Sequence, residues 1–270
     1  MAEIQLFPDI KLVCGSEHNN FYGNKAVISI CISGNCEYRS KHEYHYLTSG
    51  KCIVTGGAAS DCHTAYSSGF CGITMLIDSR YSGSLNEMFG IRENFTDIRE
   101  NEVCIFQCSE NILKLTQEIY SAYNCSQAVK IKIKAIELFM LLEEQKNKHC
   151  EHTEVIRRAG RFICKNISEH YTIEKLSELF AITPYTLKTE FSRYFGSSVY
   201  AYTKMRKMFH AAELLGNTDM KIIDIAEEVG YCNASKFASA FNSVIGKTPK
   251  NYQMEHNFRK NRENRETSQN

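Results

Sequence analysis

Two stretches of this chain carry one apolar rhythm. LSELFAITPYTLKTEFSRYFG occupies residues 176–196 and IAEEVGYCNASKFASAFNSVIG occupies 225–246, with Leu176 matching Ile225 and Leu187 matching Phe237. In the first copy Ile173, Leu176 and Leu179 share a short helical face, Ala181-Ile182 turns the chain, and a second helix carries Leu187, Phe191 and Phe195 inward. Thr183 suits the N-cap of that second helix, Pro184 its first position, and Gly196 its end. In the second copy Ile222, Ile225 and Val229 make the short helix and Gly230-Tyr231 the turn. Asn233 caps a helix with Phe237, Phe241 and Ile245 inward, and Gly246 ends it. The offset is 49 residues between the first helices and 50 between the second, so the copies are two separately packed units and not the start of a solenoid. Residues 197–217 between them read as a bridging helix that buries Val199, Tyr202, Met205 or Met208, Ala212 and Leu215.

A short helix, a tight turn and a crossing helix make a helix-turn-helix, which offers its second helix to the DNA major groove. A plain helical bundle would use the same apolar spacing, so charge becomes informative. Residues 1–154 carry 14 Lys and Arg against 19 Asp and Glu, whereas residues 155–270 carry 18 against 12. The basic half is the half that holds the repeat, which favours a polyanionic partner there.

From 1 to about 108 the pattern is short alternation broken by turns. AVISICISGNCEYRS reads as a hairpin about SGN, and HEYHYLTSGKCIVTGG as a second about SGK; GFCGITMLIDSR and NEVCIFQC add strands. Many short strands imply a sandwich or small barrel. After Ser109 the period becomes helical. Ile112, Leu115, Ile119 and Tyr120 form one stripe, and a helix over 126–147 carries Val129, Ile133, Ile136, Phe139, Met140 and Leu142 as another. That second stripe is apolar enough to serve as a dimer interface. KNKHCEHTE reads as a linker and residues 255–270 as a flexible tail.

The chain has 12 cysteines without paired CxxC spacing, so reduced thiols and no metal are expected. Of the thiol and imidazole groups, Cys62, His63 and Cys71 are the least unlike a metal or redox site. No apolar run reaches the eighteen or so residues of a membrane span. The N-terminus lacks a signal-peptide pattern, which places the expectation in the cytoplasm. No catalytic triad, phosphate loop or HExxH pattern occurs, so no enzyme activity and no cofactor are expected.

Residues 155–253 resemble the DNA-binding domain of AraC/XylS-type bacterial transcription regulators. The likeness runs through TIEKLSELFAITPYTLKTEFSRYFG, YTKMRKMFHAAELL and IIDIAEEVGYCNASKFASAFNSVIGKTPKNYQ. Lys207 and Gln253 stand where the family usually has Arg. The resemblance implies an α+β chain: a cupin-like β-barrel or sandwich sensing domain over 1–108, a helical dimerisation and linker region over 109–150, and an all-α double helix-turn-helix domain over 155–254. Its units span 173–196 and 222–246. It also implies a sequence-specific regulator, in the manner of an activator, with promoter DNA, RNA polymerase, a second copy of the chain and a small-molecule effector as partners. The effector's contact residues are not implied. The competing readings are a cupin-type metal-dependent enzyme or sensor with an appended helical module, and an adaptor that does not bind DNA.

Subtracting the buried positions of the two second helices leaves the candidate readers. Tyr185, Lys188, Thr189, Ser235 and Ser239 are expected at bases, and Thr183, Arg193, Asn233, Lys236 and Asn242 at phosphates. The second helix is poor in long bidentate side chains, so it should dock more than it reads.

Overall fold

Two glycine corners decide the layering of the β-rich half. The computed structural model describes residues 3–15, 20–21, 25–40, 43–55, 62–78, 103–144 and 153–256. Strands β1 (Ile4–Phe7), β2 (Ile10–Cys14), β4 (Lys25–Ser33), β7 (Lys51–Thr55), β9 (Cys71–Asp78) and β10 (Val103–Gln107) form one antiparallel sheet in the order β1-β2-β9-β4-β7-β10. Strands β3 (Asn20–Phe21), β5 (Asn35–Ser40), β6 (Glu43–Thr48) and β8 (Cys62–Tyr66) form the other, in the order β3-β8-β5-β6.

Neither hairpin expected about SGN or SGK exists. β4 and β5 lie in different sheets, as do β6 and β7. Gly34 (φ 80°) and Gly50 (φ 81°) take left-handed conformations that pass the chain from one sheet to the other. At Gly34 a Cβ would lie 2.7 Å from the Phe70 Cα, so no larger residue fits that corner. The true hairpin is β5–β6, with Cys36 opposite Leu47 and Tyr38 opposite His45.

The six-stranded sheet is covered on both faces. One buries Ile10, Leu12, Ile28, Ile30, Met75 and Ile77 beneath helices; the other packs Val13, Val27, Leu76 and Ile53 against Tyr38 and Leu47 of the second sheet. Double coverage explains why β9 is buried along six consecutive residues. The architecture is thus mixed, with N-terminal sheets and C-terminal helices, and the two sheets are stacked but not closed into a barrel among the described residues.

Helix α1 (Glu110–Asn124) starts at Ser109, whose side chain accepts the Ile112 N–H, and buries Ile112, Leu115 and Ile119 as the spacing predicts. Helix α2 (Ala128–Glu144) differs from expectation. It turns Ile131, Ala135, Leu138, Phe139 and Leu142 to the sheet and leaves Val129, Ile133 and Met140 exposed. This helix has two apolar faces, and the sheet takes the one spaced 131, 135, 138, 142.

The helical half follows: α3 (Thr153–Lys165), α4 (Ile173–Phe180), α5 (Pro184–Phe195), α6 (Val199–Asn217), α7 (Ile222–Glu228) and α8 (Ala234–Ile245). A last helical segment covers 249–256, two residues into the expected tail; 257–270 and most of the expected linker, 146–152, lie outside the described residues. Leu179 is exposed, contrary to the stripe proposed for α4. Phe180 packs inward in its place and meets Phe162 of α3 edge-on. The bridging helix α6 buries Val199, Tyr202, Met205, Met208, Ala212 and Leu215 as expected. Lys207 and Gln253 donate to the carbonyls of Ser168 and Met220, at 3.4 and 3.1 Å.

β6 joins the two halves. Tyr46 is fully buried within the helical core, stacked on Phe209 and edge-on to Tyr202. Glu43 lies 2.6 Å from Arg157 Nε and 3.6 Å from Arg161 Nη1, and its other oxygen accepts the Tyr194 hydroxyl at 3.1 Å. On β5, Glu37 faces Arg206 Nη1 at 3.6 Å, while Arg206 lies over the Tyr44 ring at 3.8 Å and 3.8 Å from Glu213.

Candidate nucleic-acid interface

The two helix-turn-helix units are built by the same local chemistry. α5 begins where Thr183 accepts the Thr186 N–H at 3.1 Å with Pro184 in the first turn, and ends at Gly196 (φ 68°). α8 begins where Asn233 accepts the Lys236 N–H at 2.9 Å and ends at Gly246 (φ 81°). Leu187, Phe191 and Phe195 of α5 and Phe237, Phe241 and Ile245 of α8 are all buried. Apolar contact on one face and a side-chain cap at the start fix the rotation of each helix, and so fix which residues point away.

Away from the core stand most of the candidate readers. Tyr185 is 78% exposed. Lys188, Ser235, Lys236 and Ser239 are exposed and Thr189 is half-buried, all on the outward side of α5 or α8. Thr183 and Asn233 are exposed too, with side-chain oxygens already engaged in capping. Asn242 is exposed near the end of α8. Arg193 is half-buried and paired with Glu190 at 2.5 Å, so its guanidinium would exchange that carboxylate for a phosphate. The candidate bases and phosphates therefore fall to two clusters, one on each outward helix face, with the N-terminal residues of α5 supplying the larger side chains.

Electrostatics change sharply behind that surface. Burial pushes Glu43 up, but the neighbouring His45 and Arg157 outweigh it and bring the carboxyl down to about 2. Burial dominates at Glu37, which rises to about 7 despite Arg206. Sequence reasoning did not find this polar seam between β5–β6 and α3–α6. The available signal was HEYHYLT, where Tyr44 and Tyr46 share one face of the strand and His45 and Leu47 the other, so neither face is wholly polar.

Among the described residues, no group of three or more His, Cys, Asp or Glu could hold a metal ion, and no helix is long and apolar enough to cross a membrane. The side chains of Cys62 and His63 lie outside the described residues, as does all of His149, Cys150 and His152.

Comparison with known proteins places this geometry. The helix-turn-helix domain family matches residues 176–255. The HTH-type transcriptional regulator ExsA of Pseudomonas aeruginosa is 30% identical over 112 residues, 42% of this chain and 38% of that protein. The regulatory protein PocR of Salmonella typhimurium is 27% identical over 106 residues, 39% of this chain and 35% of that protein. The chain therefore matches little more than a third of these relatives' length. The lactose operon transcription activator of Staphylococcus xylosus is 25% identical over 223 residues, 80% of this chain and 79% of that protein. Among solved structures, the C-terminal domain of AraT, a response regulator from Geobacillus stearothermophilus, is 30% identical and covers 40% of this chain and 88% of its own, with a TM-score of 0.37. Two capped, glycine-terminated units lie across the matched region, and residues 176–255 carry a helix-turn-helix domain of the AraC type.

Proposed function

We propose that the chain is a sequence-specific DNA-binding transcription regulator, in which α5 and α8 enter successive major grooves about 34 Å apart along one face of the duplex. The observation that carries this reading is the pair of recognition helices, each buried on one face and open on the other at its N-terminal half. Tyr185, Lys188 and Thr189 contact bases with support from Ser235 and Ser239, while Thr183, Arg193, Asn233, Lys236 and Asn242 meet phosphates. The likeness to the staphylococcal activator across both halves supports a regulator in which residues 1–108 form a cupin-like sensing domain for a small-molecule effector, 109–150 a helical dimerisation region and 155–254 the DNA-binding domain. On this reading the protein works in the cytoplasm, activates through RNA polymerase and is not an enzyme.

A homodimer fits the outward face of α2, where Val129, Ile133, Ile136 and Met140 recur at helical spacing. Lysines 130 and 132 lie towards one end of this helix and Glu144 at the other, so an antiparallel pairing of two copies sets opposite charges together.

Fluorescence anisotropy of the full chain against promoter DNA and random duplex tests the reading. A regulator binds the promoter more tightly, and with roughly four to six phosphates neutralised its log affinity falls with log salt at a slope of about −4 to −5. Equal affinity for both duplexes would overturn it.

A further inference from the structure

The carbonyl ends of both recognition helices are held by the β-rich half, at two neighbouring points. The last carbonyls of a helix have no partner within it and need donors from elsewhere. At the end of α5, the Lys51 ammonium donates to the Gly196 carbonyl. At the end of α8, Asn35 Nδ2 donates to Val244 O at 2.8 Å and the Ser68 N–H to Ile245 O at 2.5 Å. Close packing accompanies each bond. A Cβ on Gly196 would lie 2.3 Å from Ile105 Cγ2, and one on Gly246 would lie 2.6 Å from Ser68 O.

Lys51 and Asn35 each follow one of the two glycine corners, and the corners are tied to each other. The Gly50 N–H donates to Cys31 O at 2.9 Å and the Ser49 hydroxyl to Ile32 O at 2.7 Å, joining the second corner to the strand that leads into the first. Ser67 then fastens Asn35 from both sides: its hydroxyl accepts the Asn35 N–H at 2.8 Å, and its own N–H donates to Asn35 O at 2.9 Å. One laced bracket thus touches the ends of both helices, independently of α6, which connects the two units along the chain.

We infer that this bracket sets the distance and angle between α5 and α8, which makes Lys51 and Asn35 positioning residues for the spacing of the two DNA contacts although neither lies in the DNA-binding half. The inference rests on the DNA-reading role proposed above. An ammonium and a carboxamide are partly withdrawn from water, and each finds a helix terminus whose partial negative charge favours a donor there. α6 packs against α7 and α8 through Met208, Ala212 and Leu215, and the bracket adds a second tie from the sheets at the far end of α8.

The test uses the full chain, with Lys51→Met and Asn35→Ala combined, and Lys51→Arg as the variant that keeps the donor. Labels attached through unnatural residues at the exposed positions Ser192 and Ser243 report the distance between the two units by electron–electron double resonance, with no DNA present. The unaltered chain and Lys51→Arg should give one narrow distribution and the double variant a broad one. The same proteins are then bound to promoter sites with one base pair added or removed between the two half-contacts. The unaltered chain should lose at least tenfold in affinity on the altered spacings, and the double variant less than threefold. An unchanged distribution in the double variant overturns the bracket whatever DNA does, and so does spacing discrimination that is present in the unaltered chain and equally strong in the double variant. A broadened distribution in a protein that never discriminates promoter from random duplex sustains the bracket and removes the DNA-reading role instead.

Discussion

The two helix-turn-helix units share a backbone plan and differ in what completes it. In the first, Thr172 caps α4 by accepting the Lys175 N–H, and the turn to α5 passes through Ala181 in a left-handed conformation at φ 52°. In the second, Lys221 precedes α7 without a side-chain cap, and the matching left-handed residue is Gly230 at φ 76°. Outward chemistry differs as well, with Tyr185 and Lys188 on α5 against Ser235 and Ala238 on α8. The first unit is also tied to the sheets by side chains, with Tyr194 donating to Glu43 and His45 packing on Phe195, whereas the bonds from the sheets to α8 end on its main-chain carbonyls. A repeated fold can thus differ between its copies, one presenting the larger outward side chains and the other the glycine that suits the turn.

Gly230→Ala should break the comparison most severely. A Cβ there meets Ser168 O at 1.9 Å and Ser168 C at 2.8 Å, both main chain. Left-handed strain alone costs about 1–2 kcal/mol, and the collision adds to it. Urea unfolding should register a loss of about 3 kcal/mol or more; a loss below about 1 kcal/mol would mean that the α3–α4 connection yields easily.

The division between reading and docking is next in size. Lys188→Ala should cost about 1–3 kcal/mol on the preferred DNA site and relax base preference at one position, whereas Lys236→Ala should weaken specific and random duplex alike and flatten the salt slope by about one. Competition anisotropy with a panel of single-base variants separates the two. If Lys236→Ala alters base preference and Lys188→Ala does not, the roles of α5 and α8 are exchanged.

Acid and base should act on the side-chain seam. Glu43 is held at about 2 in the folded chain against 4.5 in the free residue, so its stabilisation is present above pH 4.5 and is lost as pH falls towards 2. Glu37 has the opposite sign. Raised from 4.5 to about 7, it binds its proton more tightly when folded, and stability falls as pH rises through that window. Melting temperature against pH should therefore decline on both sides of mildly acidic pH, and Glu37→Gln should flatten the neutral limb while leaving the acid limb in place.

Much of this comparison was legible in the sequence. Caps, glycine ends and Phe positions of α5 and α8 follow from residue types whose local preferences agree with their packing. Other features depended on neighbours. Whether β4 paired with β5 could not be read from alternation, because a hairpin and a sheet-to-sheet corner bury the same residues. α2 offered two apolar faces, and only the position of the sheet chose between Ile131 and Ile133. Leu179 and Phe180 are adjacent apolar residues, and α3 supplied the Phe162 ring that selected Phe180.

The smallest expected effects exchange features between the units. Ala181→Gly should relieve left-handed strain and stabilise by about 1 kcal/mol, less what the added chain freedom costs when unfolded. Lys221→Ser should add a cap to α7 that is worth roughly 0.5–1 kcal/mol. Both are measurable as shifts of the urea midpoint at constant slope. A destabilising Lys221→Ser would show that the lysine contributes more through its side chain than a cap can return.

Tyr46 bears on how the molecule comes apart. It belongs to a strand of the smaller sheet, yet its ring fills the helical core beside Tyr202 and Phe209. Melting the sheets would withdraw that ring and open a void among the helices, and melting the helices would strand a buried phenol in water. Neither half keeps its native packing once the other is gone. In a calorimeter the chain should absorb its heat of unfolding in one peak, with the calorimetric and van't Hoff enthalpies in agreement, as a single cooperative unit does.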